Sequence, residues 1–139
     1  MKHPTIRTLC IAIALGLSAL SAQAAADDKL LAAARAAEPA VIQSLKEMVS
    51  IESGTMDQPG LTAMSNYAEG RLRALGMQVE RRPSSTQKSE ILIGRLTGTG
   101  QRKLMLMAHL DTVYWPGILA TQPIKQEGKR LYGPGIADD

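Results

Sequence analysis

Cysteine is almost absent from this 139-residue sequence, and its one copy, Cys10, lies in an apolar stretch near the N-terminus. Residues 1–24 are typical of a secretory signal peptide, because Lys2 and Arg7 precede the apolar run LCIAIALGLSAL and the small residues of SAQA follow it. Cleavage after Ala24 would also remove the cysteine. The mature chain would then lack disulfides, would depend on its core alone for stability, and is expected in the periplasm or outside the cell.

A large excess of charge of either sign is also missing. The formal net charge is +3, and it falls to about +1 once the two basic residues of the leader are removed. This near-neutral balance gives no support for a nucleic-acid partner or for a polybasic membrane surface.

A retained membrane anchor is the alternative interpretation of the leader, but its apolar core is too short to span a bilayer comfortably. The length suits one ordinary domain, and it is too short for two.

Helices are predicted in the first half of the mature chain. One helix can start at Asp27-Asp28 and run through KLLAAARAA, and a second is expected to restart at Pro39 because proline suits a first helical position. Another begins near Pro59 with Asp57 as a candidate cap. Gly76 stands where a left-handed helix terminator is expected.

Strands are predicted in the second half. MQVERR and EILIGRLTG suit a first pair, KLMLMAH suits a third strand buried on both faces, and IKQEGKRLYGPG suits two short strands turning at Glu127-Gly128. Helices followed by strands with near-continuous apolar runs indicate an α/β fold. We expect helices packed on a mixed, mainly parallel sheet.

The apolar run Leu104–Ala108 leads directly into His109-Leu110-Asp111, which holds the only histidine outside the leader. Open α/β folds place ligands at the ends of such strands. Zinc binds a neutral imidazole whose other ring nitrogen is usually held by a carboxylate, and Asp111 is the natural candidate for that carboxylate. A lone His-x-Asp pair is more often structural.

A second acidic group, Asp138-Asp139, follows the loop Gly133-Pro134-Gly135, whose glycines allow tight turns close to a bound ion. A terminal Asp-Asp pair is more often simply exposed to solvent. Its combination with His109 is what favours a metal site. A Gly-Pro-Gly loop followed at once by two carboxylates also predicts that the chain is the N-terminal piece of a longer enzyme. A ragged natural C-terminus is the alternative.

MLMAHLDTV followed by LYGPGIADD resembles the paired signatures of the dinuclear-zinc exopeptidase and deacylase family, which includes acetylornithine deacetylase, succinyl-diaminopimelate desuccinylase and aminoacylase. EPAVIQSLKEMVSIESGT, HLDTVYWPGILA and YGPGIADD are similar to its periplasmic, folate-cleaving glutamate carboxypeptidases. The Gly133-Pro134-Gly135 loop departs from the common Gly-Arg-Gly form and matches that branch. The similarity covers most of the mature chain.

The resemblance implies that residues 25–139 form the N-terminal portion of a catalytic peptidase domain, whose remainder and dimerisation domain are absent. His109 would bind one of two zinc ions, and Asp111 would orient His109 and is counted with the catalytic residues. Asp138 would bridge the two zincs, with Asp139 following it. The other ligands and a general-base glutamate would lie beyond Asp139, and the complete protein would be a homodimer.

The function implied is a zinc-dependent metallocarboxypeptidase that hydrolyses the amide bond to a C-terminal amino acid, with glutamate expected and with folate-type or N-acyl-glutamate substrates. A deacylase of other N-acyl amino acids and a non-catalytic truncated remnant stay open. The partner would be a small or peptide-like substrate, without nucleic acid or a stable membrane anchor. Because a catalytic zinc normally needs three protein ligands, these 139 residues alone are expected to be inactive and to bind zinc weakly.

Overall fold

A computed structural model describes residues 27–85 and 90–137 of the chain. The predicted leader, Asp138 and Asp139 lie outside these residues. The elements in chain order are helix α1 (Asp28–Val49), helix α2 (Gln58–Ala74), strand β1 (Gln78–Pro83), strand β2 (Glu90–Arg95), helix α3 (Ile118–Thr121), strand β3 (Lys125–Glu127) and strand β4 (Arg130–Tyr132). None of the described helices is both long and apolar enough to cross a bilayer.

The chain divides into two units, residues 1–38 and 39–139, and the second unit holds the described strands. In the second unit, α1 and α2 are joined by polar contacts. The Tyr67 hydroxyl donates to Glu47 Oε2 at 2.8 Å, and Arg71 donates to Ser44 Oγ at 2.8 Å.

Helix α1 runs unbroken through Pro39, so the prediction of a second helix restarting there is wrong. Proline removes one donor from a helix, but the surrounding AAARAAEPA is rich in strong helix formers that outweigh this loss. The predicted start is confirmed. Asp27 Oδ1 accepts from the backbone N–H groups of Lys29 and Leu30 at 3.0 and 3.1 Å, which satisfies donors that no helical carbonyl can reach.

Helix α2 begins after Asp57, as predicted, with Pro59 in its first turn, but the Asp57 side chain forms no capping hydrogen bond. At the other end Gly76 adopts φ 79°, and its N–H donates to the Arg73 carbonyl at 2.9 Å. The Met77 N–H donates to the Leu72 carbonyl at 3.1 Å. These two bonds are the Schellman arrangement, so the predicted left-handed termination is confirmed.

Replacing Gly76 with alanine is expected to lower the free energy of unfolding by about 1 kcal/mol, because a Cβ is unfavourable at this positive φ. Gly70 is the matched control, since it lies exposed inside α2 with open space around it. Gly70→Ala should raise the free energy of unfolding by about 0.5–1 kcal/mol. Urea unfolding of both variants measures the difference. Equal stability of the two variants would contradict the assignment of the helix end.

The described strands form two antiparallel hairpins. Strands β1 and β2 pair from Gln78 opposite Arg95 to Pro83 opposite Glu90, and α2 packs against both strands. Strands β3 and β4 pair around the predicted turn, where Gly128 has φ 58°. The α/β class is confirmed. A mainly parallel sheet is not found among the described residues, where the one parallel pairing is an isolated bridge.

The third predicted strand, Lys103–His109, does not form. This segment has no regular secondary structure, and the side chains of Leu104 to Met107 are 78–87% exposed. A strand buried on both faces needs neighbouring strands to pair with and cover on each side. The described residues supply neither, so the prediction is wrong for this structure although the apolar composition behind it is real.

Candidate metal and catalytic site

The loop that follows α1 is joined to the segment around Asp111. The Thr112 N–H donates to the Ser53 carbonyl at 2.8 Å, and the Thr55 N–H donates to the Thr112 carbonyl at 2.9 Å. This makes a short parallel bridge between Gly54 and Thr112. The sequence HLDT is therefore hydrogen-bonded to the loop IESGT. This loop lies next to the end of the apolar segment.

Glycine is required at two places in this junction because backbone atoms approach very closely. A Cβ on Gly54 would lie 2.2 Å from the Tyr114 carbonyl oxygen, and one on Gly60 would lie 1.9 Å from the Glu52 carbonyl oxygen. Both distances are far inside van der Waals contact. The loop, the start of α2 and the chain after Asp111 can thus pack together only without side chains at these positions.

His109 and Asp111 are in direct contact. His109 Nδ1 lies 2.8 Å from the Asp111 carbonyl oxygen and 3.1 Å from Asp111 Oδ1. Both partners are acceptors, so Nδ1 carries the proton and donates. In the neutral ring Nε2 is then the nitrogen with the lone pair that a metal ion requires.

The second carboxylate oxygen of Asp111 is held by a residue far away in the sequence. The Thr55 hydroxyl donates to Asp111 Oδ2 at 2.6 Å, in a part-buried position. This hydrogen bond is the main cause that lowers the pKa of Asp111, against the opposing effect of partial burial, and the contact with His109 lowers it further. Asp111 is therefore ionised at neutral pH and accepts hydrogen bonds through both oxygens.

Glu52 anchors the chain that follows Trp115-Pro116. Its Oε2 accepts from the Gly117 N–H at 2.6 Å and its Oε1 from the Leu119 N–H at 2.9 Å. The bond from Gly117, followed by the bond from Leu119, lowers the pKa of Glu52. Sequence analysis did not single out Glu52 or Thr55, and the only signal was their presence in the stretch EPAVIQSLKEMVSIESGT that carries the family resemblance.

A pH-dependent contribution to stability is expected from Glu52. Because its pKa is lower in the folded chain than the ordinary 4.5, its contribution is complete above pH 4.5 and is lost as the pH falls through the folded pKa. Glu52→Gln should therefore be less stable than the wild type at pH 7, and the gap should close in acid. Denaturant unfolding at several pH values measures this gap. A gap of constant size would contradict the role assigned to the carboxylate.

Among the described residues, His109 has the chemistry of a zinc ligand. The described residues do not supply the other ligands of a complete zinc site. His109 offers Nε2 with its other nitrogen held, which is the usual state of a metal-bound histidine. Within residues 27–85 and 90–137, no group of three or more histidine, cysteine or acidic side chains could hold a metal ion. Asp138 lies outside the described residues, so its proximity to His109 stays a prediction, as do the roles of His109 and Asp111.

No protein-family model matches the chain. A curated relative gives the particular similarity: the chain is 41% identical over 141 aligned residues to carboxypeptidase G2 of Pseudomonas sp. (strain RS-16). The alignment covers 99% of this chain and 34% of the relative, so the chain spans about a third of that protein's length. The resemblance predicted from the sequence is thus confirmed.

Proposed function

We propose that this chain is part of a zinc-dependent carboxypeptidase in which His109 and Asp138 are metal ligands. The observation that carries the proposal is the contact of His109 Nδ1 with Asp111, which directs Nε2 towards a metal-binding role. The similarity to a carboxypeptidase supports the reaction class. The substrate we propose is an amide to a C-terminal amino acid, with glutamate as that residue in folate-type or N-acyl-glutamate compounds.

Each residue of the proposed site has a distinct task. Zinc, when bound, lowers the pKa of a coordinated water to about 7 and polarises a carbonyl oxygen. Asp111 holds the His109 ring and keeps the proton on Nδ1. Asp138 suits a bridging role because a carboxylate has two oxygens and its charge offsets that of two dications. The general base and the remaining ligands are proposed to lie outside residues 1–139.

Hydrolysis by the full-length gene product tests this function. Folate, N-acyl-glutamates and other N-acyl amino acids are assayed with zinc and after its removal by a chelator. We expect zinc-dependent release of glutamate, loss of activity by His109→Ala, and unchanged activity in the matched control His3→Ala, which alters the other histidine of the chain. Faster cleavage of other N-acyl amino acids would favour a deacylase, and no hydrolysis of any of them would favour a non-catalytic remnant.

The 139-residue chain alone is expected to show no hydrolysis above the blank and to bind zinc weakly. The reason is that the described residues and Asp138 together supply fewer donors than two catalytic zinc ions require. The same assay, run on the purified chain with added zinc, measures this. Zinc-dependent turnover by the chain alone would contradict the expectation.

Export to the periplasm and dimerisation of the full-length protein belong to the same proposal. Cleavage after Ala24 should give a mature protein that begins at Ala25, which mass spectrometry of a periplasmic fraction would detect. A protein that keeps Met1 and stays with the cell membrane would contradict export. Sedimentation of the full-length protein measures dimerisation, and a monomer would contradict it.

A further inference from the structure

Thr55 contacts two residues of the segment that carries His109. Its hydroxyl lies 2.6 Å from Asp111 Oδ2 and 3.1 Å from the Thr112 carbonyl oxygen. A hydroxyl has one proton to donate, and the shorter approach to the charged oxygen identifies the carboxylate as its main acceptor. Thr55 is thus a direct hydrogen-bond partner of the group that holds the histidine.

The two oxygens of Asp111 have different partners. Oδ1 faces His109 Nδ1 at 3.1 Å, and Oδ2 faces the Thr55 hydroxyl at 2.6 Å. The torsion that turns a carboxylate about its own axis is broad and does not define one orientation by itself. A strong hydrogen bond on Oδ2 therefore determines where Oδ1 lies. Oδ1 is one of the two acceptors that face the imidazole proton, and the other is the Asp111 carbonyl oxygen at 2.8 Å.

A backbone hydrogen bond holds Thr55 in place independently of its side chain. Its N–H donates to the Thr112 carbonyl at 2.9 Å, within the bridge that also joins Ser53 to Thr112. Threonine is β-branched, which restricts its χ1. The hydroxyl is thereby presented at one place, on a residue 56 positions before the carboxylate it contacts.

We propose that Thr55 is a positioning residue of the metal site. By holding Oδ2 of Asp111 it turns Oδ1 towards His109, where Oδ1 and the Asp111 carbonyl oxygen together keep the imidazole proton on Nδ1, with Nε2 as the metal-binding nitrogen. The metal-binding role of Nε2 rests on the proposed function. The position of the imidazole proton does not, because it is a property of the chain without metal.

Three variants separate the hydroxyl from the shape of the side chain. Thr55→Val keeps the branched shape and removes the donor, whereas Thr55→Ser keeps the donor. Thr62→Val is the matched control, because Thr62 donates to the Gln58 carbonyl on the exposed side of α2, away from the bridge. Circular dichroism and thermal unfolding establish that each variant is folded at the temperature of measurement.

The first readout is the tautomer of His109 in metal-free chain, measured from the imidazole ¹⁵N chemical shifts. The sequence has two histidines, so His3→Gln assigns the signals. Wild type, Thr55→Ser and Thr62→Val should show the Nδ1–H form as the main species. Thr55→Val should shift the signals part of the way towards the mixture of an unrestrained imidazole, because the Asp111 carbonyl oxygen still accepts from Nδ1. Signals of Thr55→Val identical to the wild type would overturn the proposal.

The second readout is the zinc affinity of the full-length gene product, measured by competition with a chromophoric chelator. Loss of a partner that orients a metal ligand typically costs 10–100-fold in metal affinity, so Thr55→Val should bind zinc about tenfold more weakly than wild type, with Thr55→Ser close to wild type. Equal affinities of all three would overturn the role at the metal. A shifted tautomer in Thr55→Val, together with a full-length protein that binds no zinc, would support the positioning role and count against the proposed function.

A measurement on the unaltered chain covers the case in which Thr55→Val does not fold. The hydroxyl proton of Thr55 should be visible by NMR in water, because its bond to Asp111 is part-buried and slows exchange. The exposed hydroxyl of Thr62 is the internal reference. A Thr55 hydroxyl proton that exchanges as fast as that of Thr62 would overturn the proposal.

Discussion

Replacing Gly54 with alanine is expected to lower the free energy of unfolding by about 3 kcal/mol, the upper part of the range for overpacking a tight contact. The added Cβ would lie 2.2 Å from the Tyr114 carbonyl oxygen. The backbone of Gly54 cannot move away easily. Gly54 lies between Ser53 and Thr55, whose backbone groups both bond to Thr112, and moving it away breaks that bridge.

The matched control for this prediction is Gly98→Ala, because Gly98 has open space around the position of a Cβ. Its free energy of unfolding should stay within about 0.5 kcal/mol of the wild type, as is usual for surface substitutions. Urea unfolding gives both values. Gly54→Ala as stable as Gly98→Ala would show that the junction between the loop after α1 and the segment around Asp111 is not packed as described.

The second large effect is expected from the exposed apolar segment Leu104–Met107, which should make the 139-residue chain self-associate. Its four side chains are 87, 78, 86 and 84% exposed and stand in a run without charge. An exposed apolar segment that pairs with no strand among the described residues is a template for pairing with another chain. Removing one leucine side chain from water stabilises an association by roughly 1.5–3 kcal/mol. A few such contacts are therefore enough to hold two chains together.

The double substitution Leu104→Lys with Leu106→Lys should weaken this association by more than about tenfold, since the two leucines would share one face of a strand that pairs with another chain. Leu75→Lys is the control, because Leu75 is 66% exposed at the end of α2 and lies outside the apolar run. Sedimentation at several concentrations measures the association. A wild-type chain that stays monomeric throughout would contradict the prediction.

Features that depend on neighbouring residues could be predicted from the sequence. The end of α2 at Gly76 and the β3–β4 turn at Gly128 are determined by a glycine at a positive φ within a few residues. The contact between His109 and Asp111 spans two residues, and the spacing alone suggested it. These features need no knowledge of distant parts of the chain.

Features that depend on distant residues could not be predicted. Thr55 and Glu52 reach partners 56 and 65–67 positions later, and no local pattern marks such contacts. For the segment Lys103–His109 the sequence predicted a strand that does not form. Its apolar composition predicts a buried strand, but a strand forms only where pairing partners exist, and the described residues provide none.

Pro39 shows how competing local preferences limit prediction. A proline at a first helical position and a proline inside a helix look alike when only the following residues are considered. The preceding alanines decide the outcome here, because they continue the helix up to Pro39 and through it.

The most direct test of the proposed site is the position of zinc in crystals of the zinc-loaded full-length protein, located by anomalous scattering at the zinc edge. The account predicts a zinc ion about 2.0–2.1 Å from His109 Nε2, with an oxygen of Asp138 in the same coordination shell and Nδ1 still facing Asp111. Zinc bound through Nδ1, or a His109 and an Asp138 whose side chains point into different surroundings, would contradict it.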